Sequence, residues 1–279
     1  QELGATGRGE NMQITTYLEH AMKSELSGNV IDLCPVGALT SKPYAFQARS
    51  WELRKTESVD AMDAVGSNIR IDARGKEVMR VLPRLHEDIN EEWISDKTRF
   101  ACDGLRRQRL DVPYVRRDGK LQPANWGEAF RAVADRLKGL PGSRIAAIAG
   151  DMADAEAMFA LKQLMQALGS ANLDCRQDGA RLDPTNRAGY LFNTTIAGIE
   201  QADVVLLIGT DPRHEAALVN ARIRKRWTMG GFRAANVGPA FDLTFPVDQL
   251  GNDPKLLEQI AAGTHAFAEV LRQAKHPML

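Results

Sequence analysis

Ala202-Asp203-Val204-Val205-Leu206-Leu207-Ile208-Gly209-Thr210-Asp211-Pro212-Arg213 is the stretch on which the fold turns. Val204 to Ile208 is a short, unbroken apolar run with no polar alternation, so it reads as a strand buried on both faces. Gly209 and Asp211-Pro212 supply the turn that ends it. The pattern repeats on either side. Downstream, a helix is predicted over His214 to Trp227 and a further strand over Arg233 to Val237. Upstream, Ile145-Ala146-Ala147-Ile148-Ala149-Gly150 reads as a second apolar strand, and Asp151 to Ala167 as a long helix. Before these, Trp126, Phe130, Val133, Ala134 and Leu137 recur at helical spacing. Apolar strands alternating with helices are the mark of a parallel α/β sheet. Neither a G-x-G-x-x-G nor a G-x-x-x-x-G-K-[ST] run occurs, so the pattern supports no Rossmann or P-loop nucleotide site.

The N-terminal third has a different texture. Asn68-Ile69-Arg70-Ile71 and Glu77-Val78-Met79-Arg80-Val81-Leu82 alternate with period two, and Ala73-Arg74-Gly75-Lys76 between them carries a glycine turn. These residues predict a hairpin with one buried face inside a small β-rich unit. Residues 1 to about 50 are punctuated by glycine, with an amphipathic helix expected around Gln13 to Ser24. Gly28-Asn29 then leads into a strand-like Val30-Ile31-Asp32-Leu33 and into Cys34-Pro35. No internal repeat or low-complexity tract is present.

Across 279 residues, 36 Lys and Arg balance 36 Asp and Glu, so there is no electrostatic case for nucleic acid or an anionic membrane surface as main partner. Hydrophobic residues at 44% and charged ones at 26% describe a globular chain able to bury one large core or two. No apolar run approaches the roughly 20 residues of a membrane-spanning helix, and no signal peptide opens the chain. It begins at Gln1, and the natural N-terminus is expected to lie further upstream. Three widely spaced cysteines, Cys34, Cys102 and Cys175, argue against a disulfide framework and for a reducing compartment.

A cysteine followed by proline is common in iron–sulfur ligand runs, because Pro35 fixes the turn that carries the sulfur. Alone, the dipeptide fits a buried inert thiol better. Gly4-Ala5-Thr6-Gly7-Arg8-Gly9 and the string from Ser27 through Cys34-Pro35-Val36-Gly37-Ala38-Leu39 to Pro43, however, closely resemble a segment of the large iron–sulfur subunit (75 kDa or G-type) of respiratory complex I, the NADH–quinone oxidoreductase. The resemblance implies that Cys34 is the fourth ligand of a [4Fe–4S] cluster. The other three ligands would come from a C-x-x-C-x-x-C run upstream of Gln1, so this chain alone is expected to carry no assembled cluster.

Residues 51 to 104 resemble the small domain that binds a further [4Fe–4S] cluster in molybdopterin oxidoreductases and in some bacterial complex I subunits. Its C-x2-C-x3-C-x27-C pattern falls here on Asp60, Asp63, Ser67 and Ser95: the spacing is kept and every thiol is gone. Hard oxygen atoms replace soft thiolates poorly, so the site is expected to be empty of cluster. The cluster-free version is the one associated with mitochondrial and α-proteobacterial complex I. Asp60 and Asp63, three residues apart, are read as a solvated turn rather than a cation site. Asn193-Thr194-Thr195-Ile196-Ala197-Gly198 and the stretch from Ala202 to Arg213 resemble the central α/β domain of molybdopterin oxidoreductases, here implied to be a scaffold without molybdopterin.

Other candidates have ordinary readings. Arg222, Arg224, Lys225 and Arg226 are expected to form a solvated or subunit-facing helix stripe rather than an RNA site. His86, beside Glu87 and Asp88, is expected on a surface loop. The sequon Asn193-Thr194-Thr195 is taken as coincidental in a reducing compartment, and Cys102 and Cys175 as structural thiols. The fold class is therefore α/β: a molybdopterin-oxidoreductase-like parallel-sheet domain (108–279) preceded by a small β-rich domain with a degenerate cluster site (51–107) and part of a cluster-binding segment (1–50). The implied function is electron transfer from NADH toward quinone as one subunit of the complex. Its partners would be the other peripheral-arm subunits, at the cytoplasmic face of a bacterial inner membrane or the matrix side of the mitochondrial one. The rival readings are a formate dehydrogenase-like molybdopterin enzyme, which needs cysteines at positions 60, 63, 67 and 95, and a scaffold module without redox role.

Overall fold

The computed structural model describes residues 2–16, 20–150, 152–175, 182–183 and 185–279. It falls into two compact units: Gln1–Leu105 together with Tyr190–Leu279, and Arg106–Gly189.

The first unit opens with an antiparallel pair, β1 (Leu3–Thr6) and β2 (Gln13–Thr16), in the register Thr6↔Gln13 to Leu3↔Thr16. The expected helix over Gln13 to Ser24 is therefore not formed. Ile14-Thr15-Thr16 is β-branched and pairs as a strand, residues 17–19 lie outside the described residues, and residues 20–24 are irregular. The strand expected at Val30–Leu33 is instead a short helix, α1 (Asn29–Leu33), capped where the Cys34 amide donates to the Val30 carbonyl at 3.1 Å. A four-residue apolar run does not by itself distinguish helix from strand, and here the side chain of Asn29 decides it, as described below.

β3 (Arg54–Val59), β4 (Asn68–Arg74) and β5 (Glu77–Pro83) form an antiparallel three-stranded sheet, with the predicted hairpin turning at Gly75. On one face Ile69 and Val81 pack with Ile94 from the following loop, backed by Ile71, Val78 and Cys102. On the other, Asp72 is fully buried and accepts from Arg70 Nε at 2.9 Å and Arg80 Nε at 2.8 Å. The Arg80 guanidinium in turn lies 4.4 Å from the centre of the Tyr44 ring. The helix α2 (Asp96–Phe100) follows.

The second unit contains a hairpin, β6 (Tyr114–Arg117) with β7 (Lys120–Pro123), then α3 (Trp126–Leu137), β8 (Ala147–Ile148), α4 (Ala155–Ala167) and β9 (Leu173–Asp174). α3 has the predicted bounds, and Asn125 and Glu128 close a reciprocal capping box at its start. The strand expected at 145–150 shrinks to two residues, pairing in parallel with β9. The Ile145 carbonyl is taken by Ser170 Oγ at 2.6 Å and Asn172 Nδ2 at 3.1 Å, and so leaves the ladder. α4 begins at Ala155, not at 151, because the Asp154 side chain caps it by accepting from the Ala157 amide at 2.7 Å. Residue 151 lies outside the described residues.

Back in the first unit, β10 (Val204–Ile208), α5 (Pro212–Glu215), α6 (Ala217–Thr228), β11 (Arg233–Val237), β12 (Asp248–Gly251), α7 (Lys255–Ala262), α8 (Ala266–Gln273) and β13 (Pro277–Met278) build a sheet of order β12-β11-β10-β13. All three pairings are parallel, as the apolar runs predict. Alternate residues feed two cores. Val205, Leu207 and Ala234 pack with Ile199, Ile223, Phe245 and Met278, whereas Val204, Leu206, Ala235 and Val237 pack with Phe267. The sheet is thus covered on both faces. The single helix expected over His214 to Trp227 is broken at Ala216, whose φ of −146° and ψ of 67° are not helical.

Burial differs sharply between the units. Among the described residues of the second, Ile145 and Met165 are the buried apolar side chains, while Trp126 and Phe130 are 66% and 64% exposed. Opening a segment costs little where little apolar surface is buried. Native-state hydrogen exchange is therefore expected to show α3 and α4 amides exchanging well before those of β10 and β11. Truncating Ile223, 2% exposed, to alanine should cost about 2–5 kcal/mol in urea unfolding of the first unit.

Candidate functional site

The chain turns sharply after α1, and Cys34 sits half-buried at that corner. Pro35 contributes no N–H, and Gly37 takes φ +68°, a left-handed conformation that lets residues 36–39 curl back toward the sulfur. The Leu39 amide donates to Cys34 Sγ at 3.4 Å. That hydrogen bond lowers the thiol pKa. Burial opposes it, and the amides of Val36, Ala38 and Gly37 reinforce it. The loop therefore favours thiolate, the form in which cysteine binds metal.

Asn29 fixes where this corner lies. It is 2% exposed, and its Nδ2 donates to the carbonyls of Leu26 at 2.9 Å and Ile94 at 2.8 Å. Its Oδ1 accepts from the Ile94 amide and from Arg99 Nη2, both at 3.1 Å. Arg99 also pairs with Asp32 at 2.5 Å, one helical turn from Asn29. Alongside, Asp96 accepts from the Gly28 amide at 2.7 Å and from the Ser27 hydroxyl. A Cβ on Gly28 would lie within 2.7–2.8 Å of Arg99 and Asp96 atoms, so only glycine fits this approach. Residues 27–32 are in effect strapped to residues 94–99.

Glu25, just before, joins the strap to α5. It accepts from Arg213 Nε at 3.0 Å on both oxygens, and its carbonyl accepts from the Asp96 amide at 2.8 Å. Burial alone would raise the Glu25 pKa, but hydrogen bonds from Arg213 and a backbone amide and the nearby positive charge outweigh it, and the pKa falls. None of Asn29, Arg99, Gly28 and Glu25 stands out in the sequence. The Gly-Asn pair before an apolar run is the available signal, and it points equally to an ordinary turn.

The structure also brings together the four positions with cluster spacing. Asp60 and Ser67 face each other at the end of the β3–β4 pairing, where the Asp60 amide donates to the Ser67 carbonyl at 2.8 Å. Asp60 Oδ2 accepts from Thr98 Oγ1 at 2.8 Å, and Thr98 Oγ1 is 2.8 Å from Ser95 Oγ. Ser95 also caps α2 through the Thr98 amide. The Asp63 side chain is 3% exposed, accepts from the Val65 amide at 3.0 Å and has Lys97 at 3.7 Å. Burial, with the Asp60 charge adding to it, raises the Asp63 pKa. The expectation of a solvated turn is corrected: Asp60, Ser67 and Ser95 are buried as well. Asp60 Oδ2 and Ser95 Oγ are already engaged with Thr98, and hard oxygens in place of thiolates suit an iron–sulfur cluster badly. Among the described residues no three His, Cys, Asp or Glu side chains gather as a metal-binding group.

At the carboxyl end of β10, where a parallel sheet binds its ligands, the loop is closed from within. Glu215 accepts from Thr210 Oγ1 at 2.6 Å and from the Asp211 amide at 3.3 Å, and Asp211 Oδ2 lies 2.6 Å from His214 Nδ1. A pyrophosphate brought here would meet two carboxylates where it needs free amides. These residues do not fit a pterin dinucleotide.

The reading of the basic stripe on α6 is corrected at Arg222. Arg222 is 5% exposed and donates to the Glu87 carbonyl at 2.6 Å, and Lys225 pairs with Glu91 at 2.7 Å and Glu200 at 2.9 Å. Arg224 and Arg226 donate to the carbonyls of Thr244 at 3.0 Å and Ala202 at 2.6 Å. Only Arg222 leaves the solvated face: Arg226 is half-buried, and Arg224 and Lys225 stay exposed while bonding to their own chain. His86 is part-buried, and its backbone bridges to Glu91. Cys102 packs beside the small core, and Cys175 is exposed. No helix among the described residues is long and apolar enough to cross a membrane.

Three outcomes follow for measurement. Asn29→Ala orphans a buried N–H and carbonyl groups and should cost about 3 kcal/mol in denaturant unfolding. Alkylation of Cys34 by iodoacetamide should rise with pH through a midpoint below the ordinary thiol value of 9.0, and Leu39→Pro should move that midpoint up. The depressed Glu25 pKa means that its pairing stabilises the fold above the ordinary carboxyl value of 4.5, with the contribution lost as pH falls through the folded value. Glu25→Gln should flatten that acid limb of the stability curve.

Comparison with known proteins agrees with this architecture. Residues 109–279 match the family model described as molybdopterin oxidoreductase. Residues 53–103 match the NADH-ubiquinone oxidoreductase NDSU1/NuoG-like, 4Fe-4S domain, and residues 1–40 the NADH-quinone oxidoreductase subunit 3, ferredoxin-like domain. The G-type subunit of NADH-quinone oxidoreductase from Rickettsia felis is 53% identical over 279 residues, which is all of this chain and 42% of that protein. The corresponding protein of Rickettsia bellii is 54% identical, covering all of this chain and 41% of that one. The mitochondrial 78 kDa subunit of NADH-ubiquinone oxidoreductase from Neurospora crassa is 53% identical over 284 positions, with 38% of its length covered. The chain thus spans about two fifths of the length of these curated relatives. It belongs to the molybdopterin oxidoreductase family, and within it is homologous to the G-type subunit of NADH-quinone oxidoreductase.

Proposed function

We propose that this chain is the part of an NADH–quinone oxidoreductase subunit that presents Cys34 as one ligand of a [4Fe–4S] cluster, in a complex passing electrons from NADH toward quinone. The observation that carries this reading is the sulfur environment: a half-buried thiol facing the Leu39 amide at 3.4 Å, on a loop that favours thiolate. When bound, the cluster supplies one-electron transfer. Cys34 would hold one iron, and the other three ligands would come from a C-x-x-C-x-x-C run upstream of Gln1.

The roles of this chain's own residues follow from the geometry. Amides 36–39 stabilise negative charge on sulfur, and hydrogen bonding and solvent exposure at the sulfurs are what set a cluster's potential. Asn29, Asp32 and Arg99 hold the corner against the β-rich part, so that the sulfur keeps its position as charge arrives and leaves.

In this reading residues 1–50 are the end of a cluster-binding segment. Residues 51–107 are a small domain whose Asp60, Asp63, Ser67 and Ser95 stand at the spacing of cluster ligands, and residues 108–279 are the first part of a scaffold without pterin. The partners would be other peripheral-arm subunits, and the place the cytoplasmic face of a bacterial inner membrane or its mitochondrial equivalent. The closed loop at Thr210–Glu215 and the missing thiols weigh against a formate dehydrogenase-like enzyme.

The test is Cys34→Ser in the assembled oxidoreductase. Low-temperature EPR of the NADH-reduced complex should lose one [4Fe–4S] signal, and NADH–quinone activity should fall more than tenfold, while Cys102→Ser keeps both. Unchanged spectra in Cys34→Ser would overturn the assignment.

A further inference from the structure

We propose that the buried Asp60, Asp63 and Ser67 together bind one small hard divalent cation, of the Ca2+ or Mg2+ kind, through the two carboxylates and the Ser67 hydroxyl. The reading is independent of the role given to Cys34.

Three observations converge on it. The first is enclosure: Asp60 is 7% exposed, the Asp63 side chain 3% and Ser67 1%. Carboxylates at that depth are ordinarily paired, because an ionised group removed from water needs a counter-charge. Among the described residues the one cation beside the pair is Lys97, at 3.7 Å from Asp63 and 40% exposed. A divalent ion that displaced this loosely placed, exposed lysine would give both carboxylates a counter-charge.

The second observation is the Ser67 hydroxyl, buried with no hydrogen-bond partner among the described residues. Its direction follows from the strand register. Val59 pairs with Asn68, and the Asp60 amide donates to the Ser67 carbonyl at 2.8 Å, so Asp60 and Ser67 are the next directly opposed pair. Opposed residues of an antiparallel pair project to the same side of the ladder, with Cβ atoms about 5 Å apart. The idle hydroxyl therefore shares its side with the Asp60 carboxylate.

The third is how the remaining oxygens are held. Ser95 and Thr98 line up on Asp60 Oδ2, and the Val65 amide holds Asp63 Oδ1. This orients both carboxyl groups while leaving each a second oxygen for an ion. The donor set is entirely hard oxygen, with no thiol or imidazole, which selects Ca2+, Mg2+ or Mn2+ over zinc or copper.

Isothermal titration of the EDTA-treated 279-residue chain with CaCl2, and separately with MgCl2, tests the proposal. One saturable site per chain is expected for at least one ion. Asp63→Asn should weaken its binding at least tenfold and Ser67→Ala several-fold, with circular dichroism confirming that each variant is folded. Asp135→Asn, an exposed carboxylate on α3, should bind as the parent does. Absence of saturable binding by either ion, or equal affinity in the folded Asp63→Asn and Ser67→Ala variants, would overturn it.

Discussion

The carboxamide of Asn29 is the contact on which the rest of the candidate site depends. Four hydrogen bonds converge on one buried side chain, three of them tying the residues before Cys34 to Ile94 and Arg99. Asparagine suits this place because it donates and accepts at once, meeting both the amide and the carbonyl of Ile94. A carboxylate there could not donate, and an apolar residue would strand several polar groups away from water. The position of the Cys34 sulfur is inherited from that link rather than from packing, since Leu33 and Val36 on either side are 58% and 79% exposed.

A second theme is substitution of internal polar contacts for ligands. At the Asp60–Ser95 cluster, hydroxyls and carboxylates close on one another through Thr98. At the end of β10, Glu215 occupies the amide and hydroxyl that an anionic cofactor would use. Both places keep the architecture of the family while their own side chains fill much of the hydrogen-bonding capacity. The two differ in what remains. The β10 loop turns carboxylates toward the place where a phosphate would bind, whereas the end of the β3–β4 pairing holds an idle hydroxyl beside the Asp60 carboxylate.

Legibility in the sequence follows the length and regularity of each signal. β10 and β11 can be read because an apolar run between helices has few other interpretations, and α3 because its apolar spacing agrees with the capping pair Asn125 and Glu128. α1 reads wrongly as a strand because five residues carry no periodicity, and its helix is fixed by contacts with residues 65–70 positions away. β12 and β13 are too short and too polar or too close to proline to be seen without their partner strands. At the site, Cys34 is legible through the long string from Ser27 to Pro43 that resembles a complex I segment, since the Cys-Pro pair alone fits an inert thiol. The burial of Asp60, Asp63 and Arg222 is not, because spacing says nothing about what covers a charged side chain. Arg222 in particular lies in a run of cations that looks solvated until Glu91 and Glu200 fold against it.

The most direct test of the central claim is an iron anomalous-difference map, at the iron absorption edge, of crystals of the assembled oxidoreductase containing this chain. The account predicts an iron peak within bonding distance of Cys34 Sγ, with the Leu39 amide still pointing at that sulfur, and no iron among Asp60, Asp63, Ser67 and Ser95. A map with no iron at Cys34, or with its side chain packed into hydrocarbon, would contradict it.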